Sequence, residues 1–427
     1  MNEDFLAYVW QFRLYSGIPK LTTGDALAVE QPGTLNRDSG PDFLGALIRI
    51  DDTLWAGHVE IHMKSSDWNL HGHQNDPAYE NVVLHVVYQH DKEVLRPDQT
   101  SLPVLELRYY IDSSLYTRYL QFMASPREVA CENFLKGIPL TLPSQWLVSL
   151  GLQRLIRKGL ALDYLAQRLG NDWNETLYVS FCKGFGNKVN DDVFEMLALK
   201  TPLKLVRNLS EDSTALEALL FGQSGLLPEG SGWADDTYVS AMQDRYASLL
   251  YKYRCEPLEK HLWRFLRTRP ANFPTVRIAQ LAALLGSFLS INPLMMDELR
   301  NWMEYAGNIT VSKYWQEHYH FGRPCSGLPG SIGRESLERI IINGIIPPLV
   351  RYGEIYRSHD FIASLVDELA GFAPENNKVI RTWKSLGVIP GSAVESQGLM
   401  ELFNEYCRGK RCLECRFGHQ VLATTLI

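Results

Sequence analysis

The 427-residue chain lacks an excess of positive charge: at a net charge of -7 it has no global basic field to hold nucleic acid. This argues against an indiscriminate DNA-coating protein, and any nucleic-acid binding would need a local basic patch. Cysteine is sparse, and its seven copies, an odd number with three crowded near the end, do not form a disulfide framework. No apolar run approaches the roughly 20 residues that span a bilayer. The opening MNEDFLAYVWQFRLY has acids where a secretory signal needs basic residues. No membrane partner and a cytoplasmic location are expected. Also missing are an HExxH helix, a phosphate-binding P-loop, a GxGxxG turn and a serine nucleophile elbow, which argues against zincin proteases, P-loop NTPases, Rossmann dehydrogenases and serine hydrolases. What remains is an ordinary globular composition, 45 % apolar and 21 % charged, at a length suited to about two or three domains.

What the chain does have is histidine in one place. Six of its eleven histidines fall between His58 and His90, interleaved with acids in GHVEIHMKSSDWNLHGHQNDPAYENVVLHVVYQHD. Imidazole and carboxylate bind divalent metals and move protons near neutral pH, so this run is where chemistry is expected.

The texture of the sequence predicts an α+β protein, with a mixed-sheet domain over residues 1–125 and a mainly helical domain over 140–427. In the first, a helix is expected over Glu3 to Tyr15 and a short strand near Ala26 to Glu30. A strand over Phe43 to Ile50 then turns at Asp51-Asp52 into a second over Leu54 to Lys64. A short helix with Pro77 in its first turn precedes the β-branched strand Val82 to Tyr88, and Leu102 to Tyr110 reads as a last strand. Beyond residue 140, apolar residues recur at spacings of three and four, as in WLVSLGLQRLIRKGLALDYLAQRL, VRIAQLAALLGSFL and ESLERIIINGIIPPLV. No fixed period argues for a solenoid.

Side chains alternate across a strand, so His58, Glu60, His62 and Lys64 share one face while Val59, Ile61 and Met63 take the other. The hairpin carries Asp42 toward the far half of the partner strand, beside Glu60 and His62. Two carboxylates can hold Mg²⁺ or Mn²⁺, which polarises a phosphoryl oxygen and acidifies an attacking water. On this reading Asp42 and Glu60 are metal ligands, His62 a base or ligand, and Lys64 a phosphate electrophile. The pattern resembles the PD-(D/E)XK nuclease superfamily, which places an acid at the start of one strand and an acid, a spacer and a lysine on the next; here histidine stands at the lysine position. The resemblance implies a metal-dependent phosphodiesterase or nuclease acting on nucleic acid. A different reading takes Glu60, His62, His71, His73, Asp76 and His85 as ligands of Zn²⁺, Fe²⁺ or Mn²⁺ in a small-molecule hydrolase. There, His71 and His73 reach one ion only if Gly72 bends the backbone. The same residues also suit a solvated sheet surface on a noncatalytic scaffold or nucleic-acid-interaction protein.

A second constellation closes the chain. Cys407, Cys412 and Cys415 with His419 could close around Zn²⁺; with Cys131 or Cys325 as a distant fourth ligand they could hold a [4Fe–4S] cluster. Some PD-(D/E)XK nucleases carry such a cluster from one cysteine before the catalytic region and three after it, whereas Cys131 follows the core here. Ordinary reduced thiols in the basic tail CRGKRCLECR are the third reading.

The segments FLAYVWQFRLY, NRDSGPDFLGALI, GHVEIHMKSSDW, HGHQNDPAYENVVLHVV, RPANFPTVRIAQLA and YCRGKRCLEC, spread over nearly the whole chain, resemble the bacterial domain-of-unknown-function 2851 family. That resemblance implies a bacterial cytoplasmic protein and brings no activity with it. Oligomeric state is not legible in the sequence.

Overall fold

A computed structural model describes residues 1–96, 100–135, 144–254, 256–266, 268–289, 296–325 and 330–423, with the side chains of 296–300 left out. Contacts divide the chain into two units, residues 1–140 with 402–427, and residues 141–401. The fold is α+β: a mixed sheet lies in the first unit and helices dominate the second.

The first unit begins with helix α1, Glu3–Gln11, capped by the Asn2 side chain, which accepts the Phe5 N–H at 3.2 Å. It buries Phe5, Leu6, Tyr8, Val9 and Trp10. The helix stops short of Tyr15 because Arg13 turns into the left-handed region, at φ 54°. Strands follow as β1 (Leu27–Gln31), β2 (Thr34–Leu35), β3 (Phe43–Ile50), β4 (Thr53–Lys64), β5 (Val82–Gln89) and β6 (Val104–Glu106). Their order is β1-β3-β4-β5-β6, with β2 also paired to β3. β1, β2 and β4 run antiparallel to β3, whereas β5 is parallel to β4 and β6 parallel to β5.

The β3–β4 hairpin turns at Asp51 and Asp52, the former at φ 47°, as the two-residue loop between strands demands. A bulge between Phe43 and Ala46 includes Gly45 at φ 66°, and it bends β3 where it approaches the histidine-rich half of β4. At Gly57 a Cβ would meet the Val83 side chain at 2.4 Å and the Asn81 carbonyl oxygen at 2.6 Å, so only glycine lets the start of β5 pair this closely. β5 is buried along Val82 to Val87, as expected of a parallel strand covered on both faces. The final strand is shorter than its sequence suggests: after Glu106 the chain tightens into a 3₁₀ turn, Leu107–Tyr109.

In the second unit, the helix Ser144–Leu160 packs on Ala393–Glu401 through two glycines. A Cβ at Gly151 would meet the Val394 carbonyl oxygen at 2.3 Å, and one at Gly398 the Leu147 carbonyl oxygen at 2.0 Å. Its core gathers apolar side chains from many helices, among them Phe181, Phe221, Leu285 and Leu349. No described helix is long and apolar enough to cross a membrane.

Candidate metal centre

The site forms where β3, β4, β5 and the β4–β5 crossover meet. Asp42, just ahead of β3, lies across from Glu60 on β4, and the two residues are tied at backbone level. The Asp42 N–H donates to Glu60 Oε2 at 3.1 Å, and Asp42 Oδ2 accepts the Ile61 N–H at 3.0 Å. The other Glu60 oxygen, Oε1, faces two imidazoles, with His73 Nε2 at 3.2 Å and His62 Nε2 at 3.6 Å.

His62 is the hub. Its Nδ1 lies 2.9 Å from His85 Nε2, and its Nε2 lies 3.0 Å from His71 Nδ1. Strand alternation puts Glu60 and His62 on one face, and the parallel register, which sets Glu60 beside His85, brings the β5 imidazole to the same face. The remaining two histidines come from the crossover. After the helical turn Asp67–Leu70, Gly72 adopts φ 79°, and that left-handed residue turns both His71 and His73 back toward His62. One nitrogen each from His62, His71 and His73 lies within 4.8 Å of the others, the sole such triad of His, Cys, Asp or Glu among the described residues. Packing holds the histidines in place. Tyr79 stacks on His73 with ring centroids 3.8 Å apart, and buried Trp68 meets the edges of His73 and His85 within a small core of Val82, Val94 and Leu102.

Burial controls the charges here. It pulls His62 down to about 3, helped by His73 and His71, and it lowers His73 and His85 as well. It also pushes Glu60 up to about 8, with Asp42 adding repulsion, and Asp42 up to about 6. Without a cation the site holds His62, His73 and His85 rings that resist protonation beside unwilling carboxylates. Neutral imidazole is the ligand form; His85 Nδ1 is buried without a hydrogen-bond partner, and His73 Nε2 faces Glu60 Oε1 at 3.2 Å without making an aligned hydrogen bond. The donor set fits a divalent transition ion.

The structure sorts the residues singled out in the sequence. His62, His71 and His73 come together with Glu60 at their edge, and His85 supports His62 from behind. Asp42 touches Glu60 but lies outside the histidine triad. Asp76 accepts the Ala78 N–H at 2.9 Å through Oδ1, capping the 3₁₀ turn Pro77–Tyr79, and is not one of the converging triad. Lys64 is exposed at the end of β4, where its own N–H donates to Asp67 Oδ2. Tyr79 escaped sequence reading, because an aromatic in the AYEN turn carries no sign that it will lie flat on His73.

At the other constellation, Cys131, Cys407, Cys412 and Cys415 line one cleft in the first unit. His419 is not among the residues lining that cleft: its Nδ1 lies 2.9 Å from the Tyr8 hydroxyl and its ring packs on Phe12. Cys325 belongs to the second unit and is not among the lining residues. The basic tail is also partly occupied. Arg411 pairs with Glu414, Lys410 donates to the Met123 carbonyl, and Arg408 lies over the Phe403 ring.

Compared with known proteins, residues 3–378 match the model of a family described as "Protein of unknown function (DUF2851)", and the chain belongs to that family. No curated protein and no solved structure matches it.

Proposed function

We propose that this family member is a metal-dependent hydrolase whose ion is held by His62, His71 and His73 and whose base is Glu60. The observation that carries the reading is the convergence of three ring nitrogens within 4.8 Å beside a buried carboxylate oxygen. Three protein donors with an open position is the arrangement of hydrolytic zinc sites, and imidazole suits Zn²⁺, Fe²⁺ or Mn²⁺ better than Mg²⁺. An ion bound there supplies Lewis acidity, polarising a phosphoryl or carbonyl oxygen and acidifying water. Glu60 Oε1, aimed at the same point, takes the water's proton and returns it to the leaving group. Its other oxygen is held by the Asp42 N–H, so the carboxylate keeps its orientation through the transfer. His85 fixes the His62 ring from behind and is itself packed against Trp68.

A second reading, a Mg²⁺- or Mn²⁺-dependent nuclease using Asp42 and Glu60, is favoured by one observation: half-buried Asp42 and buried Glu60 are adjacent and both raised in pKa, so a cation between them would relieve both. Metal preference separates the readings. The purified protein is titrated with Zn²⁺, Mn²⁺ and Mg²⁺ by calorimetry, then assayed on a chromogenic phosphodiester, a chromogenic carboxylic ester, and single- and double-stranded DNA. Tight binding of one Zn²⁺ or Mn²⁺ that His73→Ala abolishes, with Glu60→Gln lowering turnover by about 10²–10⁴-fold on an unchanged fold, is the expected result. DNA cleavage supported by Mg²⁺ and unaffected by His73→Ala would favour the nuclease; no metal binding at all would end both.

A further inference from the structure

We propose that Cys131, Cys407, Cys412 and Cys415 are the four ligands of a [4Fe–4S] cluster that ties the end of the chain to the N-terminal unit. The inference is independent of the hydrolase reading. Its ground is the cleft that all four side chains line together with Ala130 and Tyr406. Cys131 directly precedes the short helix Glu132–Leu135, Cys407 ends the π-helical turn Leu402–Cys407, Cys412 opens a 3₁₀ turn, and Cys415 leads into the helix Arg416–Ala423. Four separate pieces of backbone thus deliver one sulfur each. A left-handed Lys410, φ 51°, and the Arg411 N–H bonded to the Tyr406 carbonyl at 2.9 Å fold the Cys407–Cys412 loop back on itself. At Gly418 a Cβ would meet the Cys412 carbonyl oxygen at 2.0 Å, so glycine is required for the last helix to sit against that turn.

Each pair among the four thiols lies close enough for one to feel the other's charge. The cleft is also lined by Arg411 and Gly418, so among its lining residues the four thiols are the metal-ligating groups. Their convergence points to a metal, and zinc explains it less well than a cluster. With zinc–sulfur bonds of about 2.3 Å, tetrahedral sulfurs stand about 3.8 Å apart. Among the described residues no three cysteine sulfurs lie within 4.8 Å of one another. Sulfurs set more widely than zinc needs match a polynuclear core, which likewise takes four cysteine ligands. The Phe417 and Gly418 N–H groups also point at the Cys415 sulfur, donors of the kind that stabilise cluster thiolates. On ligation each thiol releases its proton to solvent and binds one iron. Burial disfavours the same thiolates when no cation is there to share their charge.

The test is made on the full chain purified without oxygen. Expected are a brown protein with about four irons and four acid-labile sulfides per chain, and visible absorption that bleaches with dithionite. Cys131→Ser and Cys412→Ser should each lose most of the iron, while His419→Ala keeps it. Should the cysteine variants prove insoluble, the wild-type iron and sulfide content decides alone. Colourless protein with one zinc per chain would overturn the proposal. So would full iron retention by Cys131→Ser, or wild-type protein that takes up no cluster from ferrous iron and sulfide.

Discussion

Gly72 shows how one residue without a side chain can assemble a site. A Cβ there would touch nothing within 4 Å, so space does not require glycine; the backbone does, at φ 79°. Gly72→Ala should therefore cost about 1–2 kcal/mol, the penalty of a left-handed alanine, and the chain can escape it by untwisting the turn. Untwisting moves His71 and His73 off His62. The expected outcome is a metal affinity at least tenfold weaker with a melting temperature only a few degrees lower, read by calorimetry and by thermal unfolding. Unchanged affinity would mean that the two histidines do not share an ion. The need for this turn was legible in His-Gly-His, since on an extended strand the two imidazoles would share a face but stand roughly 6.6 Å apart, and only a bend at Gly72 lets both reach one ion. The role of Asp76 was not. Whether a carboxylate caps a turn or holds a metal depends on whether its own backbone leaves an N–H within reach, and here the Ala78 N–H does.

Among the elements, the helix Ser144–Leu160 carries a cost that pH can expose. Lys158 hands a hydrogen bond to Asn343 Oδ1 at 2.7 Å, and burial, with Arg154 adding repulsion, pushes its amino group down to about 7. The sign follows from proton counting. Between pH 7 and the ordinary lysine value the folded state holds fewer protons than the unfolded one, so unfolding takes protons up and stability rises with pH across that window. Below about pH 7 the penalty is fully present. Lys158→Met keeps the apolar stem and removes the charge. It should raise the stability of the second unit at pH 6 by up to a few kcal/mol, since each tenfold loss of proton affinity on folding costs roughly 1.4 kcal/mol, and flatten the rise toward pH 10. Urea unfolding at pH 6, 8 and 10 checks this; equal pH slopes for both proteins would refute it. Helical periodicity announced this element, but not the burial of Lys158, because a lysine on an amphipathic helix ordinarily extends its amine to water.

For the whole molecule the division into units matters most, since the segment 402–427 groups with residues 1–140 rather than with the helices that precede it in sequence. Within that unit the link is specific. His419 meets Tyr8 of α1 and Phe12 just beyond it, and Arg118 donates to the Leu422 carbonyl at 3.0 Å. Ending the chain after Glu401 should thus loosen the N-terminal unit while sparing the helical one. In hydrogen exchange, amides of α1 and of Ser113–Ala124 are expected to lose protection, and those of Trp173–Lys183 to keep it. Equal loss in both units would show that they unfold together.

The sequence alone determined the period of each long element, and with it the α+β class: alternation over Leu54 to Lys64 and spacings of three and four beyond residue 140 leave little choice of secondary structure. It also determined that Glu60 and His62 share a face, because strand geometry is local. Tertiary structure alone decided which partners meet them. Parallel pairing of β5 with β4 set His85 beside Glu60, and the crossover brought His71, His73 and Tyr79 over the sheet. The same holds for the thiols. Spacing joined Cys407, Cys412 and Cys415, but the choice of Cys131 over His419 rests on packing between segments hundreds of residues apart, where α1 draws the imidazole toward Tyr8 and Phe12 and leaves the cleft to sulfur.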